Sequence, residues 1–340
     1  MRRLLNTIYI TSEGAWLRKD GANLVLELDG KEAARAPLHM LDGVVSFARA
    51  GASPALMAAC AEAGITFSFL EPNGRFLARV EGARSGNVLL RRAQYRTSDD
   101  PALQVPIVRG IVIAKTANQR AVIRRAMRDH GGSQALEAAE RRLSDVGRRV
   151  LTVDGVETLR GLEGEAGAVY FGVFDRLIRV SDPDFAFKTR SRRPPLNRLN
   201  ALLSFLYAML GHDCRSACET HGLDPQVGFL HADRPGRAGL ALDLMEELRP
   251  VLADRLALNL VNRRQLAADD FVTDEAGGVR LTDPARKRVV IAWQDRKRDE
   301  LRHPFLGETL PLGLVASSQA QLLARHLRGD LDGYPAFLWR

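Results

Sequence analysis

The residues with the clearest capacity for chemistry lie in the segment GFLHADRPGRAGLALDLMEELRP, at positions 228–250. His231 precedes a turn rich in arginine and glycine, and the helix predicted after that turn carries Asp243 and Glu246. Because these two acids are three positions apart, a helix places both carboxylates on one face. An imidazole beside two carboxylates suits Mg²⁺ or Mn²⁺ better than a structural zinc ion. The alternative is an amphipathic helix with an acidic solvent face, preceded by a histidine that caps a turn.

A second acidic segment, LRGLEGEAGAVYF, covers positions 159–171 and is predicted to be helical. It carries Glu163 and Glu165 among glycines near the start of that helix. A carboxylate near the positive end of a helix dipole is locally favourable, so a capping role is one explanation of these acids. A metal-binding role is the other, and the spacing alone does not choose between Glu163 and Glu165.

The densest basic segment, KTRSRRPPLNR at positions 188–198, includes Arg190, Arg192 and Arg193. A proline pair precedes a helix that is predicted to begin near Asn197 to Asn200. Cations held at the start of a helix often contact phosphates, so this segment predicts DNA binding. The alternative is a solvated loop, which is common for runs of like charge.

The composition favours a nucleic-acid partner and excludes a membrane protein. The chain has a net charge of +8, and of its 49 basic residues only six are lysine. The planar guanidinium of arginine matches phosphate oxygens, although a GC-rich coding bias also enriches arginine. No apolar run reaches the ~18 residues that span a bilayer, and the N-terminus lacks the features of a signal peptide. Three cysteines, an odd number, favour a reducing cytoplasm over a disulfide framework.

The pattern of the chain changes near position 84. Residues 1–84 read as short strands separated by Asp-Gly and Asn-Gly turns, whereas the spacing from 85 onwards is mostly helical. We therefore predict an α+β protein with two domains. The first is a small β-rich domain at 1–84, and the second is a larger α-helical catalytic domain at 85–340.

Three short stretches within the two acidic segments together resemble a known family. LRGLEGEAGAVYF, GFLHADRPG and LALDLMEELRP look like the three signatures of the CRISPR-associated spacer integrase, the metal-dependent nuclease subunit of the CRISPR adaptation complex. RSRRPPLNRLNALLSFLYAML, QAQLLARHLRGD and YPAFLWR resemble other parts of the same family, in the same order. The resemblance covers nearly the whole chain, and its pattern favours Glu163 over Glu165.

The resemblance implies a metal site and contacts to DNA. Glu163, His231 and Glu246 would hold Mg²⁺ or Mn²⁺, with Asp243 as the other candidate for the third ligand. Asn200, Arg234 and Arg249 fall at polar or basic positions near the family's site, and the resemblance assigns them to contacts with DNA or with the transition state.

The resemblance also implies an activity and an assembly. A protospacer 3′-OH would attack the repeat backbone by transesterification, with hydrolysis of branched DNA as a related activity. The β-rich domains would mediate a homodimer, and the dimers would bind a small second adaptation protein on double-stranded DNA in the prokaryotic cytoplasm.

Two other classes of function remain compatible with the residues. One is a DNA-binding scaffold in which the acids and the histidine are structural. The other is a metal-dependent RNase or phosphatase with a similar site. Transfer to a DNA 3′-OH, as against hydrolysis of RNA, discriminates the integrase from the second alternative.

Overall fold

The computed structural model describes residues 7–47, 50–71, 76–82 and 87–339. The chain divides into two compact units, residues 1–86 with 281–297 and residues 87–280 with 298–340. The predicted boundary between residues 84 and 85 lies outside the described residues. The predicted second domain runs unbroken to the end of the chain, whereas the structure groups 281–297 with the first unit. The helical spacing predicted from residue 85 onwards carries no information about the unit in which each helix packs.

The first unit contains two four-stranded sheets and two α-helices within its described residues, and the second of these helices lies almost entirely in the segment 281–297. The strands and the helix before residue 81 are β1 (Thr7–Ile10), β2 (Trp16–Asp20), β3 (Asn23–Leu28), β4 (Lys31–Pro37), β5 (Gly43–Ser46), β6 (Gly51–Ala52), α1 (Pro54–Glu62), β7 (Thr66–Leu70) and β8 (Phe76–Val80). One sheet has the strand order β1-β5-β7-β8, in which only β8 is antiparallel. The other has the order β4-β3-β2-β6 and is antiparallel except for β6.

Local sequence explains several of these elements. Asp29 and Gly30, between β3 and β4, both have positive φ angles of 51° and 74°, as a tight Asp-Gly hairpin requires. The Ser53 hydroxyl accepts a hydrogen bond from Leu56 N at 3.3 Å and so caps α1. The helix and the sheets enclose an apolar core, which includes Leu17, Val44 and Phe67, among others.

The second unit is mostly helical. Its helices are α2 (Val88–Asp99), α3 (Pro101–His130), α4 (Gln134–Thr152), α5 (Val156–Gly172), α6 (Arg198–Thr220), α7 (Gly239–Leu248), α8 (Arg255–Asn262) and α10 (Val315–Leu327). The intervening helix α9 (Asp283–Arg298) belongs almost entirely to the first unit. Short strand pairs complete the fold, β9 (Phe271–Thr273) with β10 (Val279–Leu281) and β11 (Glu300–Arg302) with β12 (Thr309–Pro311). The predicted α+β fold class is confirmed.

Two helices of the second unit have features that matter for the site. The long helix α3 buries Lys115, Asn118 and Gln119 among its apolar residues. Helix α7 continues into a π-helical segment, Arg249–Asp254, which contains Pro250. Proline lacks the backbone N–H that an α-helix needs, and π segments inside helices occur frequently at functional sites.

Within the described residues, the structure contains no helix long and apolar enough to cross a membrane.

Candidate active site

Asp243 fixes the loop that carries His231. Its carboxylate is fully buried and accepts hydrogen bonds from the backbone N–H groups of Phe229, Leu230 and His231 at 2.6 to 3.0 Å. It also lies 2.7 Å from His231 Nδ1. One carboxylate on α7 therefore sets both the path of the loop and the orientation of the imidazole.

The carbonyl groups of the same loop are held by three other helices. Gln94 on α2 donates from Nε2 to the carbonyl oxygens of Asp224 and Val227, at 2.8 and 2.7 Å. Gln104 on α3 donates to Phe229 O at 2.7 Å. Arg160 on α5 donates from two nitrogens to Leu230 O, at 2.9 and 2.8 Å. Because buried backbone groups need such partners, these side chains allow an irregular loop to lie inside the protein.

Two glycines allow this loop to approach the start of α7. A Cβ atom on Gly228 would lie 2.6 Å from the carbonyl carbon of Gly239, and a Cβ on Gly239 would lie 2.7 Å from Gln226 O. Both distances are below any normal contact, and the obstructing atoms belong to the backbone. Larger residues here would push His231 away from Asp243.

His231 has one ring nitrogen turned inwards and the other towards Glu246. An ionised carboxylate can only accept hydrogen bonds, so Nδ1 of the ring carries the proton shared with Asp243. Nε2 lies 3.9 Å from Glu246 Oε1, and 19% of the side chain is exposed. A histidine that donates one N–H to a carboxylate and presents its other nitrogen is the usual arrangement of a metal-ligating imidazole.

Glu163 and Glu246 meet at the ammonium group of Lys115. Lys115 Nζ hydrogen-bonds to Glu163 Oε1 and lies 2.7 Å from Glu246 Oε2. Three helices, α3, α5 and α7, each contribute one of these side chains. Glu165 points elsewhere, because its carboxylate pairs with Arg149 on α4 at 2.9 Å.

Arg249 forms a second ion pair with Glu246, and its guanidinium carbon lies 5.1 Å from the centre of the Tyr207 ring. Burial by itself raises the pKa of the Glu246 carboxyl. The charges of Arg249 and Lys115 outweigh burial and hold that pKa well below its ordinary value. Glu246 is therefore ionised at neutral pH although only 1% of its side chain is exposed.

The donor set fits a hard divalent cation. Two carboxylates and one imidazole nitrogen, with a third carboxylate behind the imidazole, match the ligand preferences of Mg²⁺ and Mn²⁺. As placed, no three acidic, imidazole or thiol groups within the described ranges are close enough together to hold a metal ion. The Lys115 ammonium stands between the two carboxylates instead.

A cleft of about 420 Å³ opens beside these carboxylates. Its charged lining is mainly basic, because Glu163 and Asp254 are outnumbered by five cations: Lys115, Lys188, Arg190, Arg192 and Arg249. Glycines of α5 form another part of the wall, where the absence of side chains leaves the backbone accessible. The cleft therefore combines positive charge with access to Glu163.

The residues predicted to bind DNA fall into two groups. Arg192, Arg193 and Arg234 are exposed, and Arg192 lines the cleft. Asn200 is fully buried, and Arg249 is engaged with Glu246 and Tyr207.

The buried side chain of Asn200 holds the basic segment at positions 188–198 in place. Its side chain donates to Thr189 O at 2.8 Å and accepts from Ser191 N at 3.2 Å and from Arg190 Nη1 at 2.9 Å. Arg190 also donates to Ser204 Oγ at 3.1 Å. Asn200 and Arg190 thus fix the shape of the segment whose exposed cations reach solvent.

Sequence reasoning did not single out Lys115, Gln94, Gln104 or Arg160 for the site. Two of them carry a signal in hindsight. Lys115 is one of only six lysines and lies in the apolar run GIVIAKTAN, and Arg160 lies one helical turn before Glu163. The two glutamines have no comparable signal, because their partners are backbone carbonyls far along the chain.

Comparison with known proteins identifies the family. The profile of the family described as CRISPR associated protein Cas1 matches residues 8–295. A CRISPR-associated endonuclease Cas1 of Rhodospirillum rubrum is 59% identical, and one of Chlorobaculum tepidum is 47% identical. Both alignments cover 100% of this chain and 100% of the relative. The chain therefore belongs to the CRISPR-associated Cas1 family.

Solved structures share the fold. A casposase bound to an integration product has a TM-score of 0.85 at 20% identity, with 98% of this chain and 94% of that chain covered. A chain of a Cas6-RT-Cas1–Cas2 complex has a TM-score of 0.83 at 24% identity, with 100% of this chain and 36% of that chain covered. At these identities the likeness establishes the fold alone.

The prediction of a CRISPR-associated enzyme of the nuclease and integrase class is confirmed by family membership. The assignment of individual site residues stays a prediction.

Proposed function

We propose that this chain inserts protospacer DNA into a CRISPR array by metal-dependent transesterification at the Glu163–His231–Glu246 site. The observation that carries the proposal is the convergence of these three side chains from separate segments, in a chain of the Cas1 family. Glu246 is the proposed third ligand, because all the hydrogen bonds described for Asp243 serve the His231 loop.

The side chains have distinct tasks in this reaction. Glu163, Glu246 and His231 Nε2 would hold Mg²⁺ or Mn²⁺, which when bound neutralises phosphate charge and activates the attacking oxygen. Asp243 keeps the imidazole in the tautomer that presents Nε2. The cleft cations, Lys188 and Arg192 among them, would hold the phosphodiester in line for attack.

The bonds exchanged are those of a phosphodiester transfer. The protospacer 3′-oxygen forms a bond to phosphorus and loses its proton, while the bond from phosphorus to the 3′-oxygen of the target strand breaks. That leaving oxygen takes up a proton and becomes a new 3′-OH. When water replaces the protospacer 3′-OH, the same site hydrolyses DNA as an endonuclease.

The proposed partners are double-stranded and branched DNA, a second copy of this chain and the small second adaptation protein. The casposase captured with an integration product and the Cas6-RT-Cas1–Cas2 complex, which share this fold, support the choice of DNA and of a Cas2-like protein. The homodimer rests on the family resemblance, as does action in the prokaryotic cytoplasm.

Integration of labelled duplex protospacers into a supercoiled plasmid with a CRISPR leader and repeat tests the proposal. The reaction contains Mn²⁺ or Mg²⁺ and the small adaptation partner. His231→Ala is compared with His221→Ala, a matched control whose imidazole instead bonds Ser317 Oγ at 2.9 Å. We expect joining by the wild type and by His221→Ala, and its loss with EDTA and with His231→Ala.

Other outcomes would contradict the proposal. If His231→Ala still joins DNA, the reaction does not occur at the Glu163–His231–Glu246 site. DNA binding without joining by the wild type, beside an active control complex, would favour the non-catalytic scaffold. Hydrolysis of RNA in preference to transfer on DNA would favour a metal-dependent RNase.

A further inference from the structure

Lys115 is the one side chain in contact with both Glu163 and Glu246 among the described residues. It lies on α3, only 8% of its side chain is exposed, and its ammonium lies between the two carboxylates. Two carboxylates at such close range repel each other in a poorly solvated site, so they need a cation between them. The ammonium of Lys115 supplies that charge from within the chain.

We propose that Lys115 is the resident cation of this site in the metal-free protein, and that metal binding displaces its ammonium into the adjoining cleft. The inference rests on the proposed function for its metal centre. It adds that metal and ammonium compete for one position.

Charge balance supports displacement. Glu163 and Glu246 contribute two negative charges, and Lys115 and Arg249 contribute two positive charges. A divalent ion added to these four groups would leave two excess positive charges at a few ångströms from the ammonium, which the single Asp243 carboxylate behind the imidazole compensates only in part. Repulsion at that distance in a poorly solvated site is strongly unfavourable.

Lys115 is the cation that is able to leave. Arg249 is stacked on Tyr207, and its planar guanidinium holds Glu246 from the other side. Lys115 has a flexible four-carbon stem and lines the cleft of about 420 Å³. Rotation about that stem carries the ammonium into the cleft without movement of α3.

The displacement gives Lys115 a second role. In the cleft its ammonium joins Lys188 and Arg192, where the proposed phosphodiester lies. The cleft thus gains one positive charge when the metal arrives. The metal-loaded site attracts DNA more strongly than the metal-free site, which couples the two binding steps.

Titration of Mn²⁺ into the metal-free full-length protein without DNA tests the competition. Lys115→Met removes the ammonium and keeps the length of the side chain. Arg120→Met is the matched control, because Arg120 also lies on α3 and pairs with Glu140 at 2.7 Å. We expect Lys115→Met to bind Mn²⁺ about ten-fold more tightly than the wild type, as loss of one competing charge implies, and Arg120→Met to match the wild type. Equal or weaker binding by Lys115→Met would overturn the proposal, as would absence of Mn²⁺ binding by both proteins.

A second measurement uses the wild type and does not depend on how the variant folds. Lysine acetylation rates are measured by mass spectrometry with and without saturating Mn²⁺. Lys115 is expected to react several-fold faster with Mn²⁺ present, whereas the exposed Lys19 serves as an internal reference with an unchanged rate. An unchanged or slower rate at Lys115 would show that the ammonium stays between the carboxylates.

These readouts separate this inference from the proposed function. Tighter Mn²⁺ binding by Lys115→Met in a protein that joins no DNA would retain the competition and remove the integrase assignment. If the wild type joins DNA while Lys115 stays protected from acetylation in Mn²⁺, the integrase assignment is retained and the competition is removed.

Discussion

Glu246 and Glu247 are neighbours on α7, equally buried, yet they lie in opposite environments. Glu246 faces the cations of Lys115 and Arg249. Glu247 faces neutral donors of the C-terminal segment: Tyr334 Oη at 2.5 Å and the backbone N–H of Phe337 at 2.7 Å, with Gln319 Nε2 at 3.0 Å.

The two carboxyls consequently have opposite pKa shifts. Burial raises the pKa of Glu247 to about 7 although three hydrogen bonds oppose it, whereas the cations around Glu246 overcome burial and lower its pKa. Burial alone therefore does not decide whether an acid of α7 is charged. The charge of the partner decides it: the cations beside Glu246 hold it ionised, whereas the neutral donors around Glu247 leave its pKa raised.

The largest expected effect is on DNA joining and separates the two neighbours. Glu246→Gln keeps the shape of the side chain and removes its charge, so we expect joining to fall about a thousand-fold, as for loss of a metal-binding group. Glu247→Gln, the matched change one residue along, keeps an acceptor oxygen for the C-terminal segment and should stay within about ten-fold of the wild type. Similar losses in both variants, measured as initial rates of joining, would abolish the distinction between the two sides of α7.

The next largest effect is on stability and concerns Glu247, whose hydrogen-bond partners are neutral. Glu247→Ala leaves the Phe337 N–H and the Tyr334 hydroxyl without their buried acceptor and removes one of the acceptors of the Gln319 amide, so we expect the free energy of unfolding to fall by about 4 kcal/mol. Urea denaturation measures the change. Glu247→Gln, which restores an acceptor, should recover most of the lost stability. If Glu247→Gln is as unstable as Glu247→Ala, the negative charge itself is required.

A third prediction extends the comparison to Asp254. Burial raises the pKa of Asp254 from 3.8 to about 6, although the Tyr207 hydroxyl donates to it at 2.6 Å. The folded state then holds the proton more tightly than the unfolded state, so this group removes stability as the pH rises from about 4 to about 6. The loss is complete above that range and amounts to about 3 kcal/mol.

Asp254→Asn tests this pH dependence, because its amide does not titrate. Unfolding free energies of the variant and the wild type between pH 4 and pH 7 should therefore diverge, with the wild type losing more. Parallel curves would show that Asp254 has no raised pKa.

The smallest expected effect lies at the end of the C-terminal segment. The guanidinium carbon of Arg255 lies 4.3 Å from the centre of the Trp339 ring, while Trp339 N donates to Asn118 Oδ1 at 2.8 Å. Trp339→Ala removes the ring and keeps the backbone bond, so we expect a loss of about 1 kcal/mol in the free energy of unfolding. A loss as large as that of Glu247→Ala would show that the Trp339 ring, rather than the hydrogen bonds to Glu247, is the main contact that stabilises the C-terminal segment.

Local features were predictable from sequence because neighbouring residues determine them. The Asp29-Gly30 hairpin, the cap of α1 by Ser53 and the mostly helical region after residue 87 follow from backbone preferences at each position. One helix departs from such preferences: proline usually ends a helix, whereas α3 runs from Pro101 to His130 through Pro106. Pro106 lies in the second turn, where the proline forfeits a single hydrogen bond to Ala102 that the packing of a thirty-residue helix outweighs.

The motifs by themselves predicted the family, which the comparison with known proteins confirms, and the acids and imidazole proposed for the site. The tertiary structure alone decided the partner of each. Spacing could not decide whether Asp243 or Glu246 is the metal-binding acid, since a helix places both on one face. Only the packing of the loop against α7 brings His231 into hydrogen-bond contact with Asp243. Lys115 reaches Glu163 and Glu246 from a distant part of the chain. Contacts between residues so far apart depend on how helices pack, and no local pattern encodes that packing.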